Sequence, residues 1–170
     1  MPHREVNVAV GGVVIAGVLA PIGFGVSAEA GIAGSRWRTS VGALFAPTKS
    51  LSLGVGTVDE QLLSGRVRVC YAPWKSSLLR LDVCSGAFIG LVTAEGTGYT
   101  QDDRRTRAWL AWPAELALAG GNGRVGWEVV AGALVPMRRS DFQIDNIGVA
   151  YKSPPVAGIV SLRAVGMIPW

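Results

Sequence analysis

The chain has 170 residues, of which 49% are hydrophobic and only 16% are charged, whereas a soluble domain usually carries about 25% charged residues. This length predicts a single domain over residues 1–170, long enough to bury a core or to close a barrel. The net charge of +4 comes from Arg residues dispersed through strand-like segments, which excludes the clustered basic face of a nucleic-acid-binding protein.

The first apolar stretch, residues 6–28, has two interpretations. Its Val-Ser-Ala ending is compatible with a signal-peptidase site, but its glycines, Pro21 and the acid Glu5 are atypical of a signal peptide. It also contains no uninterrupted run of about 20 apolar residues that would cross a membrane as a helix. We therefore expect two strands here, with any export signal removed or located upstream in a longer parent.

Alternation of apolar and polar residues predicts strands along the whole chain, because a period of two with β-branched and aromatic residues is typical of β-structure. The first segment, about 5–17, is apolar on both faces and gives the weakest pattern. The other segments are 24–33, 36–46, 64–71, 79–91, about 110–118, about 125–129 and about 156–168. Together they make eight strands.

The connections between these strands alternate in length. Gly34-Ser35 and Asn122-Gly123 have the composition of two-residue hairpin turns, which would pair Ile32 with Trp37 and Leu118 with Trp127. Longer links occupy 18–22, 47–60, 93–106 and 136–155. Short turns at one end and long loops at the other are typical of a membrane β-barrel.

The two faces of the strands differ in a way that predicts which one points inward. The apolar face carries Val, Leu, Ala and Ile, with aromatic residues near the strand ends, which indicates a lipid-facing belt with interfacial aromatics. The expected interfacial aromatics are Trp37, Tyr71, Trp74, Trp127 and Trp170. The opposite face combines small residues with charges that would fill the lumen as ion pairs: Glu29, Arg36, Arg38, Arg66, Arg68, Arg80, Asp82, Glu115, Glu128 and Arg163.

The two cysteines lie symmetrically about residue 77. Folding the hairpin there puts Cys70 opposite Cys84 on the lumen face, and Arg68 opposite Gly86. A structural disulfide at this position would suit an oxidising compartment, while two free buried thiols are the alternative. Two cysteines without His or Cys companions do not make a zinc site, so we expect no metal.

Candidate chemistry is sparse. The one His of the chain is His3, near the N-terminus, which gives little support for a His-dependent catalytic site. Glu115 and Glu128 share a face of neighbouring strands and could form an acid/base pair, although internal ion pairs with Arg163 or another luminal Arg are the simpler interpretation. We expect no catalytic residue and no cofactor.

Two Arg-rich segments lie in the long links, at 101–107 and 137–145. The guanidinium fork matches phosphate geometry, so on an outer surface these segments could contact lipopolysaccharide. The alternative is an ordinary solvated rim.

The pattern resembles the small eight-stranded outer-membrane barrels of the OmpA/OmpX kind over the whole chain. The terminal Trp170 looks like the C-terminal aromatic signal read by the barrel-assembly machinery, although Pro169 departs from the usual pattern. The segments "FGVSAEAGIAGSRWRTSVGALFAP", "AFIGLVTAEG" and "SPPVAGIVSLRAVG", with the paired Cys70 and Cys84, are similar to an uncharacterised family of predicted outer-membrane barrels common in myxobacteria. That resemblance implies a location and carries no known activity.

The sequence therefore predicts an all-β protein, an eight-stranded antiparallel up-and-down transmembrane β-barrel in the bacterial outer membrane, with both termini in the periplasm. We expect a non-enzymatic protein with a structural, anchoring or surface-interaction role. Its expected partners are outer-membrane lipid, with lipopolysaccharide as a candidate, and the barrel-assembly machinery during insertion; no oligomeric state is specified. The alternatives are a soluble lipocalin-like barrel that binds a small apolar ligand and a lipid-modifying outer-membrane enzyme.

Overall fold

The computed structural model describes residues 5–19, 22–47, 51–53, 56–97, 103–122, 124–137, 141–144, 148–152 and 154–169. The strands in these ranges are β1 (Glu5–Ala16), β2 (Ile22–Ala33), β3 (Trp37–Pro47), β4 (Leu51–Leu53), β5 (Gly56–Lys75), β6 (Leu79–Thr97), β7 (Asp103–Asn122), β8 (Val125–Pro136), β9 (Asp141–Ile144), β10 (Gly148–Lys152) and β11 (Ala157–Pro169). Among the same residues, no helix is long and apolar enough to span a membrane.

Eight of these strands close into an antiparallel barrel, as the sequence predicted. Each strand pairs with its neighbours in the order β3, β2, β1, β11, β8, β7, β6, β5, and the pairing of β3 with β5 closes the circle. The terminal strands β1 and β11 are adjacent. The short β4 continues the edge of β3 along β5, and β9 and β10 form a separate two-stranded antiparallel sheet.

Two predicted turn registers are wrong by two residues. Ile32 pairs with Thr39 rather than Trp37, and Leu118 pairs with Val129 rather than Trp127. In the first hairpin the N–H of Gly34 donates to the carbonyl of Trp37 (2.7 Å). The turn is therefore closed by Gly34 and Trp37, and not by Ala33 and Arg36 as a Gly34-Ser35 turn would require. The faces are unchanged, because a slip of two residues preserves the alternation of side chains.

Three strands are longer than the sequence analysis expected. β5, β6 and β7 contain 20, 19 and 20 residues, so much of the predicted loops 47–60 and 93–106 is strand. The hydroxyl of Thr57 contacts that of Thr97 (2.8 Å), and Thr93 contacts Thr106 (3.1 Å). These segments lack the apolar face that was used to recognise strands, because they extend the sheet beyond the apolar belt. We call this part of β5 to β7 the projecting wall.

The barrel has two different ends. The turns β2–β3, β5–β6 and β7–β8 lie at the end where β1 begins and β11 ends, and we call it the short-turn end. The strands β1, β3, β6 and β8 end at the opposite end, which we call the long-loop end. This distribution is the one found in membrane barrels.

The outer surface between these ends is an apolar belt. Side chains in the middle of the strands, such as Val67, Leu116 and Leu162, are 51%, 56% and 63% exposed. Two sets of aromatic residues flank the aliphatic band: Trp37, Trp74 and Trp127 near the short-turn end, and Phe24, Phe45 and Trp112 near the long-loop end. The second set was missed in the sequence analysis.

The spacing of the two aromatic sets matches a membrane. Trp37 and Phe45 begin and nearly end the same strand, and eight residues of strand span about 27 Å. At a strand tilt of about 40° this is about 20 Å along the barrel axis, close to the apolar band of roughly 25 Å in membrane barrels. The exposed apolar residues therefore form a belt of the height that a bilayer requires.

Candidate functional site

The half of the barrel interior that faces the long-loop end is filled with apolar side chains. Gly17 adopts φ +85° after β1, a conformation that glycine accepts readily, and the following Val18 and Leu19 are buried. This apolar plug consists of Val13, Ile15, Val18, Leu19, Leu44, Ala46, Leu62, Phe88, Val92, Trp109, Ala111, Leu134, Ala157 and Ile159. It leaves the interior packed near the long-loop mouth.

Beneath the plug lies a set of buried charges, the ion network. Four carboxylates and four guanidiniums of the described residues belong to it: Glu29, Asp82, Glu115, Glu128, Arg38, Arg66, Arg68 and Arg163. The formal charges of these eight groups cancel, and Arg80 at the short-turn rim adds a fifth guanidinium, which contacts Asp82. Because an isolated buried charge is costly, pairing of this kind is what allows charges to fill a narrow lumen.

Arg68 occupies the centre of the ion network. It is 1% exposed, and its guanidinium lies 2.9 Å from Glu128, 3.3 Å from Glu115 and 3.7 Å from Glu29. Three carboxylates from three different strands thus converge on a single side chain of β5. The arrangement ties opposite walls of the barrel together.

The other guanidiniums each connect further strands. Arg66 contacts Glu29 (2.7 Å) and Glu115, and its Cζ lies 4.9 Å from the centre of the Phe88 ring, where the network meets the apolar plug. Arg163 contacts Glu29 at 2.8 Å. A cation over an aromatic face is favourable in a desolvated site. The contact between Arg66 and Phe88 therefore joins the ion network to the apolar plug.

Near the short-turn end the network continues to the rim. Arg38 contacts Glu128 (2.7 Å) and Asp82 (3.1 Å), and Arg80 contacts Asp82 (2.7 Å). Arg36, which the sequence analysis assigned to the same luminal set, lies elsewhere: it is exposed between β2 and β3, and it donates to the hydroxyl of Tyr71 (3.2 Å). Arg36 lies in the turn after the end of β2, where side chains no longer alternate between the two faces of a strand.

Among the expected interfacial aromatics, Trp37, Trp74 and Trp127 are exposed on the outer surface. The Tyr71 ring is half-buried against Trp37, with 4.8 Å between ring centres. Trp170 lies outside the described residues.

Luminal glycines make room for the buried charges, a feature that the sequence analysis did not use. Directly across a strand pair, Gly42 lies opposite Glu29, Gly86 opposite Arg68, Gly132 opposite Glu115, and Gly11 opposite Arg163. A methyl group added at Gly132 would lie 2.6 Å from the carbonyl oxygen of Ala114 and 2.7 Å from Cγ of Glu115. A glycine directly opposite a luminal charge could be recognised in the sequence once the strand register is known.

We expect Gly132→Ala to destabilise the folded barrel by about 2 kcal/mol, because overpacking a filled interior usually costs about 1–3 kcal/mol. The matched control is Gly158→Ala, since a methyl group there has nothing within 4 Å; it should stabilise the protein by about 0.5 kcal/mol through the unfolded chain. Urea unfolding of both variants in lipid vesicles checks the pair. Equal effects of the two substitutions would contradict the proposed spacing role.

The two cysteines form a disulfide inside the barrel. Cys70 and Cys84 pair directly across β5 and β6, both side chains are buried, and the sulfurs are bonded with 4.1 Å between the Cα atoms. The predicted register of this hairpin, including Arg68 opposite Gly86, is confirmed as far as Tyr71. Closer to the turn it is wrong by one residue, because a β-bulge between Tyr71 and Trp74 makes Trp74 pair with Leu81. The bridge pins the hairpin beside the ion network.

The structure gives Glu115 and Glu128 no accessible position for acid/base catalysis. They are 3% and 1% exposed, and each carboxylate contacts two guanidiniums, Arg66 and Arg68 for Glu115 and Arg38 and Arg68 for Glu128. In the part of the chain that the structure describes, no three His, Cys, Asp or Glu side chains converge as a metal site.

The Arg-rich segments of the long links are described only in part. Residues 103–107 belong to β7 in the projecting wall, where Arg104 lies 3.9 Å from Glu95 and both side chains are exposed. Residues 101–102, 138–140 and 145 lie outside the described residues.

A closed antiparallel barrel of this size is also seen in solved structures. A major outer membrane protein of Thermus thermophilus aligns over 97% of this chain and 99% of its own, with a TM-score of 0.73 and 13% identity. The chain has the fold of small outer-membrane β-barrels. Ail, the attachment invasion locus protein of Yersinia pestis, aligns over 98% and 99%, with a TM-score of 0.60 and 12% identity.

Neisserial surface protein A is a third such structure, with a TM-score of 0.61, 14% identity and 96% coverage of both chains. No protein-family model and no curated protein sequence matches this chain. At these identities the likeness establishes the fold, and the residues that fill the lumen are read from this chain alone.

Proposed function

We propose that this protein is a non-enzymatic barrel of the bacterial outer membrane, which provides an anchor or an interaction surface and neither conducts solutes nor catalyses a reaction. The observation that carries the proposal is the division of the side chains. The exterior is an apolar belt, whereas the charged residues lie inside and are paired with one another. A water-soluble lipocalin-like barrel would require the opposite orientation of the two faces.

The filled interior supports a role outside the lumen. The apolar plug occupies the barrel near the long-loop end and the ion network occupies it near the short-turn end. An eight-stranded barrel is only wide enough for side chains, so the described interior has no continuous path for a solute. Interaction with other molecules then falls to the outer surface and the ends.

The projecting wall is the surface that this proposal assigns to external partners. It extends the sheet past the apolar belt, and its outer face carries Thr57, Glu95 and Arg104. With the termini and short turns on the periplasmic side, as in membrane barrels generally, the wall would face the cell exterior. Lipopolysaccharide phosphates are a candidate partner for its Arg residues, and insertion would use the barrel-assembly machinery.

The closer similarity to predicted myxobacterial barrels stays a prediction. It rests on the segments given above and on the Cys70–Cys84 pair, and it adds a lineage to the proposal rather than an activity.

The experiment that tests the proposal is folding of the urea-unfolded full chain into phosphatidylcholine vesicles, into detergent micelles and into buffer alone. We expect a β-type circular dichroism spectrum and a heat-modifiable gel mobility only when lipid or detergent is present. Density-gradient fractionation of cells that express the chain with an export signal should place it with outer-membrane markers.

A monomeric, folded protein in plain buffer would overturn the proposal, as would recovery in the soluble periplasmic fraction. Deacylase or acyltransferase activity on lipid A, lost in Glu115→Gln or Glu128→Gln, would overturn the non-enzymatic part alone.

A further inference from the structure

A group of basic and aromatic side chains meets at the short-turn end, where the β2–β3 and β5–β6 hairpins adjoin. The rim cluster consists of Arg36, Trp37, Tyr71, Trp74, Lys75 and Arg80. Trp37 pairs with Tyr71 across β3 and β5, and their rings lie 4.8 Å apart. The guanidinium of Arg36 donates to the Tyr71 hydroxyl at 3.2 Å. A cation is thereby held beside an aromatic pair on the lipid-facing side of the rim.

The basic residues of the rim cluster lie at one corner of the barrel, on adjoining hairpins. Lys75 and Arg80 are direct cross-strand partners, and like charges in that position destabilise a strand pair. Arg80 donates to the carbonyl of Arg36 (3.4 Å) and contacts Asp82 (2.7 Å), a carboxylate already shared with Arg38.

The excess of positive charge remains when the other acid at this rim is considered. Glu5 lies opposite Ala33, next to the β2–β3 turn. In the described part of the chain neither Arg36 nor Lys75 contacts its carboxylate or any other. An anion bound at this corner of the rim would therefore meet positive charges that no carboxylate compensates.

The turn beside these cations exposes apolar side chains. Leu78 is 67% exposed at the tip of the β5–β6 hairpin, and Trp74 is 49% exposed. The turn is well formed, since the Ser76 hydroxyl accepts the N–H of Leu79 at 3.1 Å. A rigid turn that presents leucine to water gains nothing, whereas at the edge of a bilayer the leucine enters the acyl region and the basic groups reach the phosphates.

We propose that the rim cluster binds the phosphodiester of an anionic phospholipid, such as phosphatidylglycerol, in the leaflet at the short-turn end. Arg36 supplies the guanidinium fork for the phosphate, and Lys75 supplies a second positive charge. Trp37 and Trp74 set the depth of the rim at the bilayer interface, and Leu78 contacts the acyl chains. This inference rests on the proposed membrane location.

An anionic headgroup fits better than a zwitterionic one. Arg36 and Lys75 have no carboxylate partner among the described residues, and a zwitterionic lipid carries a positive group of its own into the same space. Cations near an anionic surface each gain about 1 kcal/mol, a factor of about five in equilibrium.

The test measures urea unfolding of the full chain in vesicles of phosphatidylcholine alone and with phosphatidylglycerol as one third of the lipid. A ligand that binds the native state only stabilises it by mass action, so we expect the unfolding equilibrium constant to fall about tenfold with the anionic lipid. The variant Arg36→Gln/Lys75→Gln should lose most of this gain. The control Arg104→Gln/Arg105→Gln removes the same charge from the projecting wall and should keep it.

Each protein's stability in phosphatidylcholine serves as its own baseline, so a change in basal stability does not affect the comparison. The proposal is overturned if the wild-type chain folds in phosphatidylcholine but gains nothing from phosphatidylglycerol, or if both double variants lose the gain equally. Equal stabilisation by millimolar inorganic phosphate would assign the site to free anions instead of lipid. Failure to fold in either vesicle would count against the membrane location itself.

Discussion

Replacing Arg68 with methionine should destabilise the folded barrel by about 3–5 kcal/mol, the usual consequence of removing one partner from a buried ion pair. Arg68 is the residue on which Glu29, Glu115 and Glu128 converge, and its own side chain is 1% exposed. Without it Glu115 keeps only Arg66, and Glu128 keeps only Arg38, as a contacting guanidinium. These two carboxylates are 3% and 1% exposed, so water does not replace the lost contacts.

The matched control is Arg36→Met, because Arg36 is exposed and its side chain contacts a tyrosine hydroxyl rather than a carboxylate. We expect a cost of about 0.5 kcal/mol there, typical of a surface substitution. Urea unfolding in phosphatidylcholine vesicles, followed by tryptophan fluorescence, provides both values. If the two substitutions cost the same, the ion network does not hold the barrel.

A double variant keeps the prediction informative if Arg68→Met folds poorly. In Arg68→Met/Glu128→Gln one carboxylate is neutralised together with its 2.9 Å partner, so one positive and one negative charge are removed together. We expect the double variant to be more stable than Arg68→Met alone by more than about 1 kcal/mol, since contacting residues show coupling energies of about 0.5–3 kcal/mol. Simple addition of the two single effects would indicate that the charges act independently.

A charge placed in the middle of the apolar belt should be about as damaging. Val67 faces outward in β5 and is 51% exposed, so in lipid Val67→Arg should cost about 2–4 kcal/mol. The control is Gln61→Arg on the same face of the same strand, six residues toward the projecting wall. That position is about 20 Å further along the strand, and we expect a cost of no more than about 1 kcal/mol there.

Comparison of Val67→Arg with Gln61→Arg also shows whether lipid or water surrounds the outer face of the barrel. In lipid vesicles the two substitutions should differ by about 2 kcal/mol, and the difference should vanish if the face were surrounded by water, where a surface Val→Arg substitution costs little. A difference below about 0.5 kcal/mol in vesicles, the size of an ordinary surface effect, would therefore contradict the bilayer assignment even if the chain remained folded.

Within the apolar belt, the sequence by itself determined the eight barrel strands, their faces and the position of the disulfide. The predicted faces stay correct even when a turn is misplaced by two residues, because such a shift moves no side chain to the other face. For this reason Ile32 and Leu118 were given the wrong partners but the correct side. The symmetry of Cys70 and Cys84 about their turn made that register readable without a structure.

Polar extensions of strands were not readable in the same way. Outside the apolar belt both faces of β5, β6 and β7 meet polar surroundings, so the alternation that marks a strand disappears although the hydrogen-bonded ladder continues. The end of the apolar pattern therefore marks the edge of the belt and not the end of a strand.

Only the tertiary structure decided which charges pair and what closes the barrel. Arg68 on β5 contacts Glu128 on β8, strands that are not neighbours in the sheet, so their contact depends on the curvature and stagger of the closed barrel. The burial of Leu19 in the apolar plug and the place of Arg36 outside the lumen likewise follow from how the chain turns at strand ends. Periodicity describes a strand, whereas contacts across a lumen exist only after all eight strands have closed.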